Sequence, residues 1–144
     1  IPWLADAVLE PPILGPLVGL YTALNAASTP WISVLAVDLP LVNDELLKIL
    51  WNLGSADTDA IVPVQPDGRL QPLCGFYRVR PTLEAADAAI ANSRFSLHSV
   101  LDRLKVRSVD FSEYADLPNA EHLLLNVNTP EDHVLASEIA RGRI

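Results

Sequence analysis

The fold prediction starts from SVLAVDLPL, residues 33–41. An apolar run in this segment ends at a single acid, Asp38, and Pro40 follows it and prevents the run from continuing as a strand. Such a run is typical of a strand buried on both faces of a parallel sheet. Ligands of open α/β sheets bind at the carboxyl ends of strands, so Asp38 is a candidate for holding a metal ion or a substrate hydroxyl. The alternative is that its carboxylate only accepts hydrogen bonds from loop amides.

The segments on either side of this strand alternate between helix and strand. Before it, Gly15 and Pro16 predict the start of a helix that runs to about Ala27. After it, Asn43 is a good N-cap for a second helix, which Gly54 ends. Short connections between alternating strands and helices predict an α/β fold, with a mostly parallel sheet and helices on both faces.

A turn at Gln65–Gly68 changes this pattern. It joins the apolar run Ala60–Val64 directly to a second run, Leu70–Tyr77, which predicts a hairpin or a short excursion from the sheet. Pro63 and Pro72 argue against fully paired central positions for these two runs. The remaining pattern predicts helices at residues 81–91 and 96–104, a half-buried edge strand at 106–111, a last strand at 123–127 and a capped helix from Pro130.

Further polar residues fall at the ends of predicted elements. Asp6 follows a short apolar run much as Asp38 does, although a solvated loop acid has the same spacing. The helix start at Gly15 offers free amides and a partial positive charge to a phosphate. Asn126 and Asn128 stand two apart on the predicted last strand, so their amides are expected on one side, bonded either to a ligand or within a structural clasp. These residues predict a crevice compatible with a metal-bound nucleotide.

Composition narrows the class of protein. The 144 residues are half hydrophobic, which suits one domain, residues 1–144, with a core of its own. A net charge of −8 argues against general binding to nucleic acid or to an anionic membrane. The single cysteine, Cys74, excludes an internal disulfide and a cysteine-rich zinc site, so we expect a small core residue.

The ends and the apolar runs of the chain lead to two more expectations. No run is as long as a membrane span and no charged-then-apolar leader opens the chain, which favours a soluble cytoplasmic protein. The sequence contains no methionine and begins at Ile1, so we expect it to be processed or to lack an N-terminal part.

Three segments together resemble the molybdenum cofactor guanylyltransferases, the MobA-like nucleotidyltransferases. They are GPLVG at Gly15–Gly19, VDLPL at Val37–Leu41 and NVNTPED at Asn126–Asp132. RLQPLCGFYR at Arg69–Arg78 and SLHSVLDRL at Ser96–Leu104 are also similar to segments of that family, so the resemblance covers nearly the whole chain. It implies a Rossmann-like, three-layer nucleotide-transferase fold that is incomplete at its N-terminus.

The resemblance also implies an activity and a set of site residues. Members of the family transfer GMP from GTP to molybdenum-bearing molybdopterin and release pyrophosphate, with Mg²⁺ as cofactor. Asp38 matches the acid that binds Mg²⁺ and the nucleotide, which makes it the implied catalytic and metal residue, and Asp6 matches an upstream acid that contacts GTP. Gly15 starts the first matching segment, and Asn126 and Asn128 match asparagines expected near the molybdopterin or the reacting phosphates. Molybdoenzymes or cofactor-insertion proteins are implied partners.

The family's opening Gly-rich loop, with its arginine and lysine, belongs upstream of Ile1. That loop would hold the triphosphate with its amides, so we expect little or no activity from residues 1–144 alone. Two other kinds of function stay open. One is a cytidylyltransferase for the same cofactor or a sugar-phosphate nucleotidyltransferase. The other is a non-catalytic module that binds a nucleotide or the cofactor.

Overall fold

A computed structural model describes residues 15–142 of the chain. Over that range the strands are β1 Trp31–Leu35, β2 Ala60–Pro63, β3 Cys74–Arg78 and β4 Val106–Val109. The α-helices are α1 Pro16–Ala26, α2 Asp44–Asn52, α3 Val79–Ala91, α4 Leu97–Leu101 and α5 Pro130–Ala140. Short 3-10 turns lie at Phe111–Glu113 and Ala120–His122.

The four described strands form one sheet in the order β1-β3-β2-β4. β3 pairs in the antiparallel sense with β1 and with β2, whereas β2 and β4 are parallel neighbours. β1, β2 and β4 therefore run in one direction, and β3 opposes them. The sheet is mixed, with most of its described strands in the same direction, as expected for an α/β fold.

The side chains of β2 alternate between two apolar cores, because successive residues of a strand point to opposite faces. Ile61 packs on one face in the same core as Leu50 of α2. Ala60 and Val62 pack on the other face with Leu101 of α4. In a neighbouring core α1 packs against α3. Helices thus cover both faces of the sheet, which confirms the predicted three-layer arrangement.

β1 differs in two ways from the prediction for residues 33–41. It ends at Leu35, and residues 37 and 38 form a turn, so Asp38 lies in a loop beyond the strand. It is also an edge strand of the described sheet, in which Ser33 is exposed and Leu35 is 49% exposed. The strand that is buried on both faces is β2. An apolar run alone does not specify how many neighbours its strand will have.

The predicted hairpin between residues 60 and 77 is present, since β2 and β3 pair across the Gln65–Gly68 turn. Pro63 argued against a fully paired central position, and β2 does lie centrally, between β3 and β4, although its register with β3 does not extend to Pro63. Val64 donates its backbone N–H to Val109 of β4 at 2.8 Å, so Pro63 is turned towards β3. The register with β3 ends at Ile61, and the N–H that proline lacks is therefore not needed there.

The strand predicted at residues 123–127 is wrong. The chain there follows the 3-10 turn Ala120–His122, and the N–H of Leu125 donates to the carbonyl of His122 at 3.0 Å. Leu123 and Leu124 are both buried in the core beside α2. Two successive residues of a strand would point to opposite faces, whereas a turn allows both side chains to enter one core. The side chains of Leu123 and Leu124 are therefore buried although the segment pairs with no strand of residues 15–142.

The helix predictions hold with small changes in length. α1, α2 and α3 lie where the sequence places them, and α4 ends at Leu101 and continues as a turn. Asn43 caps α2 through its side-chain oxygen, which accepts from the N–H of Leu46 at 3.0 Å. Between residues 15 and 142, no helix is both long and apolar enough to cross a bilayer.

Candidate functional site

Two loops that are far apart in the sequence meet at one backbone hydrogen bond. The N–H of Val127 donates to the carbonyl oxygen of Asp38 at 2.8 Å. Val127 lies between the two asparagines of the segment NVNTPED, and Asp38 lies in the segment VDLPL. The structure therefore brings together two of the three segments on which the family resemblance rests.

Asp38 is a half-buried residue. Of residues 15–142, none forms a hydrogen bond or an ion pair with its carboxylate, although its backbone carbonyl is bonded to Val127. A carboxylate that no group of the described residues engages is a good ligand for a hard cation or for a ligand hydroxyl. No amide of residues 15–142 donates to this carboxylate, whereas the alternative interpretation of Asp38 would require such a bond.

Mg²⁺ in phosphate-transfer sites is usually held by one or two carboxylates together with phosphate oxygens of the substrate. The described part of the chain contains no group of three or more His, Cys, Asp or Glu residues arranged to hold a metal ion. A single carboxylate such as that of Asp38 fits a magnesium ion that is bound together with a nucleotide, and does not fit a metal held by protein ligands alone.

The loop that follows Val127 is held by the start of α5. Thr129 accepts from the N–H of Asp132 at 3.1 Å, and the Asp132 carboxylate accepts from the N–H groups of Asn128 and Thr129, both at 3.1 Å. This capping box lowers the pKa of Asp132, chiefly through the bond from the Asn128 N–H. The predicted cap is confirmed, and it anchors the backbone of Asn128.

The two asparagines do not play equivalent parts. Asn126 and Asn128 are both exposed and lie in a loop, so the strand geometry predicted for their amides does not apply. Asn126 lines a cavity of about 350 Å³, which residues of the hairpin turn, 65–67 and 69, also line. The side-chain amide of Asn128 has no hydrogen-bond partner within residues 15–142, and only its N–H is engaged.

Gly15 has the backbone conformation expected of it, with φ of 98°, and it caps α1 without a side-chain hydrogen bond. Pro16 occupies the first helical turn, and open space surrounds the position that a Cβ of Gly15 would take. No hydrogen bond of residues 15–142 joins Gly15 to Asp38 or to Val127. Asp6 lies outside the described residues.

The hairpin turn is the part of this region that the sequence analysis did not assign to a site. Asp67 accepts from the backbone N–H of Arg69 at 3.0 Å and from its Nε at 2.8 Å, and a second guanidinium nitrogen lies 2.7 Å from the same carboxylate. Arg69 therefore lowers the pKa of Asp67 through a side-chain hydrogen bond. The sequence does show a polar turn between two buried strands. It does not show that this turn and Asn126, which are far apart in the chain, line the same cavity.

The buried thiol and phenols near this region are structural. Cys74 is fully buried in the core beside α2, and burial raises the pKa of its thiol to about 12. Burial likewise raises the pKa of Tyr114 to about 12, and its hydroxyl donates to the carbonyl of Val64 at the base of the hairpin. The inference that Cys74 is a core residue is confirmed, and neither group is suited to act as a nucleophile near neutral pH.

The chain is similar to proteins that act on the molybdenum cofactor. Residues 1–107 match the MobA-like NTP transferase domain family. A relative from Natronomonas pharaonis, named "Probable molybdenum cofactor guanylyltransferase", is 36% identical over 140 residues, which cover 92% of this chain and 64% of that protein. A relative of the same name from Bacillus licheniformis is 36% identical over 121 residues, which cover 82% of this chain and 58% of that protein.

A solved structure agrees with the fold. The crystal structure of molybdopterin-guanine dinucleotide biosynthesis protein A from Archaeoglobus fulgidus superposes with a TM-score of 0.74 at 26% identity, over 90% of this chain and 64% of that one. The chain thus spans less than two thirds of the length of these three proteins. From the match of residues 1–107 and the shared fold, the chain belongs to the MobA-like NTP transferase domain family.

Proposed function

We propose that this chain, together with the Gly-rich loop that the resemblance places upstream of Ile1, transfers GMP from GTP to molybdenum-bearing molybdopterin. The observation that carries the proposal is the hydrogen bond from Val127 to Asp38, because it joins the two family segments into one polar site. The names of the relatives from Natronomonas pharaonis and Bacillus licheniformis support the same activity.

The reaction requires little covalent chemistry from the protein. An oxygen of the molybdopterin phosphate attacks the α-phosphorus of GTP in line, a new phosphorus–oxygen bond forms, and the bond to the leaving pyrophosphate breaks. The protein must position the two substrates and balance the negative charge of their phosphates. The absence of an activated nucleophile among residues 15–142 is consistent with this direct transfer, since the one thiol is buried and protonated.

Asp38 is the residue that would hold Mg²⁺, which would neutralise charge on the phosphate oxygens. Its carboxylate is available because it has no partner among the described residues, and its loop is fixed by the bond from Val127. Asn126 and Asn128 present amide groups on the loop of Val127 and would bind acceptor or phosphate oxygens by donating hydrogen bonds.

The test is Mg²⁺-dependent GMP transfer by a protein that contains both this chain and the Gly-rich loop. We expect Asp38→Asn to lower kcat about a hundredfold, since the stabilisation of phosphate charge by a metal is worth several kcal/mol. Asp116→Asn is the matched control, because Asp116 is exposed and forms no hydrogen bond or ion pair with residues 15–142. Full Mg²⁺-dependent turnover by Asp38→Asn would contradict the proposal.

The same preparation separates the other candidate functions. Transfer from CTP in place of GTP would identify a cytidylyltransferase, and the absence of stabilisation by any nucleotide would favour a non-catalytic module. Residues 1–144 by themselves should show little or no turnover, since the amides of the Gly-rich loop are needed to hold the triphosphate. Turnover by residues 1–144 equal to that of the longer protein would contradict this part.

A further inference from the structure

A cavity of about 350 Å³ separates the hairpin turn from the loop that carries Asn126. We propose that this cavity binds the 2-amino-4-oxo-pyrimidine edge of a fused heteroaromatic ring, with Glu121 as the acceptor of that edge's N–H groups. Both the pterin of molybdopterin and the guanine of GTP carry this edge. The inference deepens the proposed function and rests on it for the identity of these two ligands.

The charge of the cavity argues against a phosphate there. Arg69 is its cationic residue, and that guanidinium is already bound to the carboxylate of Asp67 through contacts of 2.7 and 2.8 Å. Glu121 adds a second carboxylate, which lies 3.7 Å from His122 and is 64% exposed. The lining residues include two carboxylates and one guanidinium, so they carry one net negative charge, which disfavours a phosphate and favours a group rich in N–H donors.

The hydrogen-bond donors and acceptors of the cavity complement those of the 2-amino-4-oxo-pyrimidine edge. A carboxylate accepts two parallel hydrogen bonds, and the edge offers a ring N–H and an amino N–H side by side. The neighbouring carbonyl of the edge requires a donor, which the side-chain amide of Asn126 provides. Gln65 is already committed, since its Nε2 is directed at the carbonyls of Arg69 and Leu70 within the hairpin.

The cavity also has apolar walls on both sides. Pro66 lines it from the hairpin, and Leu124 and Leu125 line it from the opposite loop. Its volume lies near the lower end of the roughly 300–1,000 Å³ of ligand pockets, which suits one bicyclic ring. Asn126 is the neighbour of Val127, whose N–H is bonded to Asp38, so the cavity lies beside the loop that contacts the proposed site.

The test uses residues 1–144 and a fluorescent ligand, 6-hydroxymethylpterin, whose dissociation constant is measured by fluorescence titration. Glu121→Gln should weaken binding about tenfold, since it replaces charge-assisted hydrogen bonds by one neutral acceptor. Glu84→Gln is the matched control, because Glu84 is exposed on α3 and does not line the cavity. Circular dichroism verifies that both variants are folded.

A second ligand makes the test specific for the edge. The corresponding pteridine-2,4-dione lacks the amino group, so the unmodified protein should prefer the pterin about tenfold. Glu121→Gln should abolish that preference. Equal binding of the two ligands by the unmodified protein, or an unchanged preference in Glu121→Gln, would overturn the proposal.

Competition by guanosine distinguishes the two sources of the edge. If guanosine displaces the pterin and is itself weakened by Glu121→Gln, the cavity takes the base of GTP; if it does not displace the pterin, the cavity takes the acceptor. The proposed function is tested separately by GMP transfer in the longer protein. If the longer protein binds the pterin but does not transfer GMP, the proposed function is wrong and the assignment of the cavity stands. If Glu121→Gln leaves the KM values of both substrates unchanged, only the assignment of the cavity is wrong.

Discussion

The backbone N–H of Val127 and the backbone carbonyl of Asp38 are 2.8 Å apart, N to O, and they join loops that are 89 residues apart in the chain (127 − 38). Neither side chain takes part in this bond. The geometry of the proposed site therefore depends on the backbone at residue 127, and it can be changed without altering any polar side chain.

Val127→Pro removes the N–H and should loosen the two loops from each other. We expect the free energy of unfolding to fall by about 1 kcal/mol or more, the usual net contribution of one hydrogen bond together with backbone strain. GMP transfer by the longer protein should fall as well, because Asp38 is then poorly positioned. Val127→Ala keeps the N–H and serves as control in urea titrations; equal loss of activity in both variants would contradict the role of the bond.

Thr82 in the first turn of α3 is fully buried, and its hydroxyl has no hydrogen-bond partner within residues 15–142. Thr82→Val replaces that hydroxyl by a methyl group of similar shape, so we expect the free energy of unfolding to rise by about 1 kcal/mol. Thr82→Ser, which keeps the hydroxyl and loses the methyl group, should lower it. Urea unfolding of both variants checks the prediction, and a loss of stability in Thr82→Val would refute it.

Gly75 of β3 allows β2 to come close. A Cβ at this position would lie 2.2 Å from the carbonyl oxygen of Ile61, so the backbones would have to separate. We expect Gly75→Ala to cost about 3 kcal/mol, at the upper end of overpacking penalties. Gly68→Ala is the comparison, because its Cβ meets open space and only its positive φ of 90° is unfavourable, at about 1 kcal/mol. Similar thermal midpoints for the two variants would show that the close approach is unimportant.

Asp132 makes the start of α5 sensitive to acid. Its pKa is below the ordinary value of 3.8, so its ionised form stabilises the folded state above that value, and this contribution is lost as the pH falls through the lowered pKa. Asp132→Asn should therefore lower the thermal midpoint at neutral pH, with a deficit that narrows as the pH falls below the ordinary value of 3.8. Asp116→Asn provides the baseline. A deficit independent of pH would mean that the carboxylate charge does not stabilise the cap.

The sequence predicted the helices better than the strands. Caps are local, and Asn43, Thr129 and Pro16 each mark a helix start through contacts within a few residues. Strand identity depends on distant neighbours. The run at residues 33–41 contains a short edge strand and the run at 123–127 forms a turn, although both are mostly apolar, as the fully buried β2 is.

The candidate site was predicted residue by residue, with its geometry left open. Asp38, Asn126 and Asn128 were identified from polar residues at the ends of apolar runs and from the family resemblance, and the structure joins their loops at Val127. Gly15 has its expected conformation, but no described hydrogen bond links it to that site, and Asp6 lies outside residues 15–142.

By itself the sequence determined the class of fold, the approximate positions of the helices and the family, because periodic burial, capping and short motifs depend on residues close together in the chain. Only the tertiary structure decided that β2 lies at the centre, that Val127 holds Asp38, and that Glu121 faces the hairpin turn across a cavity. These three features depend on which backbone segments form hydrogen bonds across long distances in the sequence. They also depend on how side chains pack on the two faces of the sheet, and neither can be read from neighbouring residues.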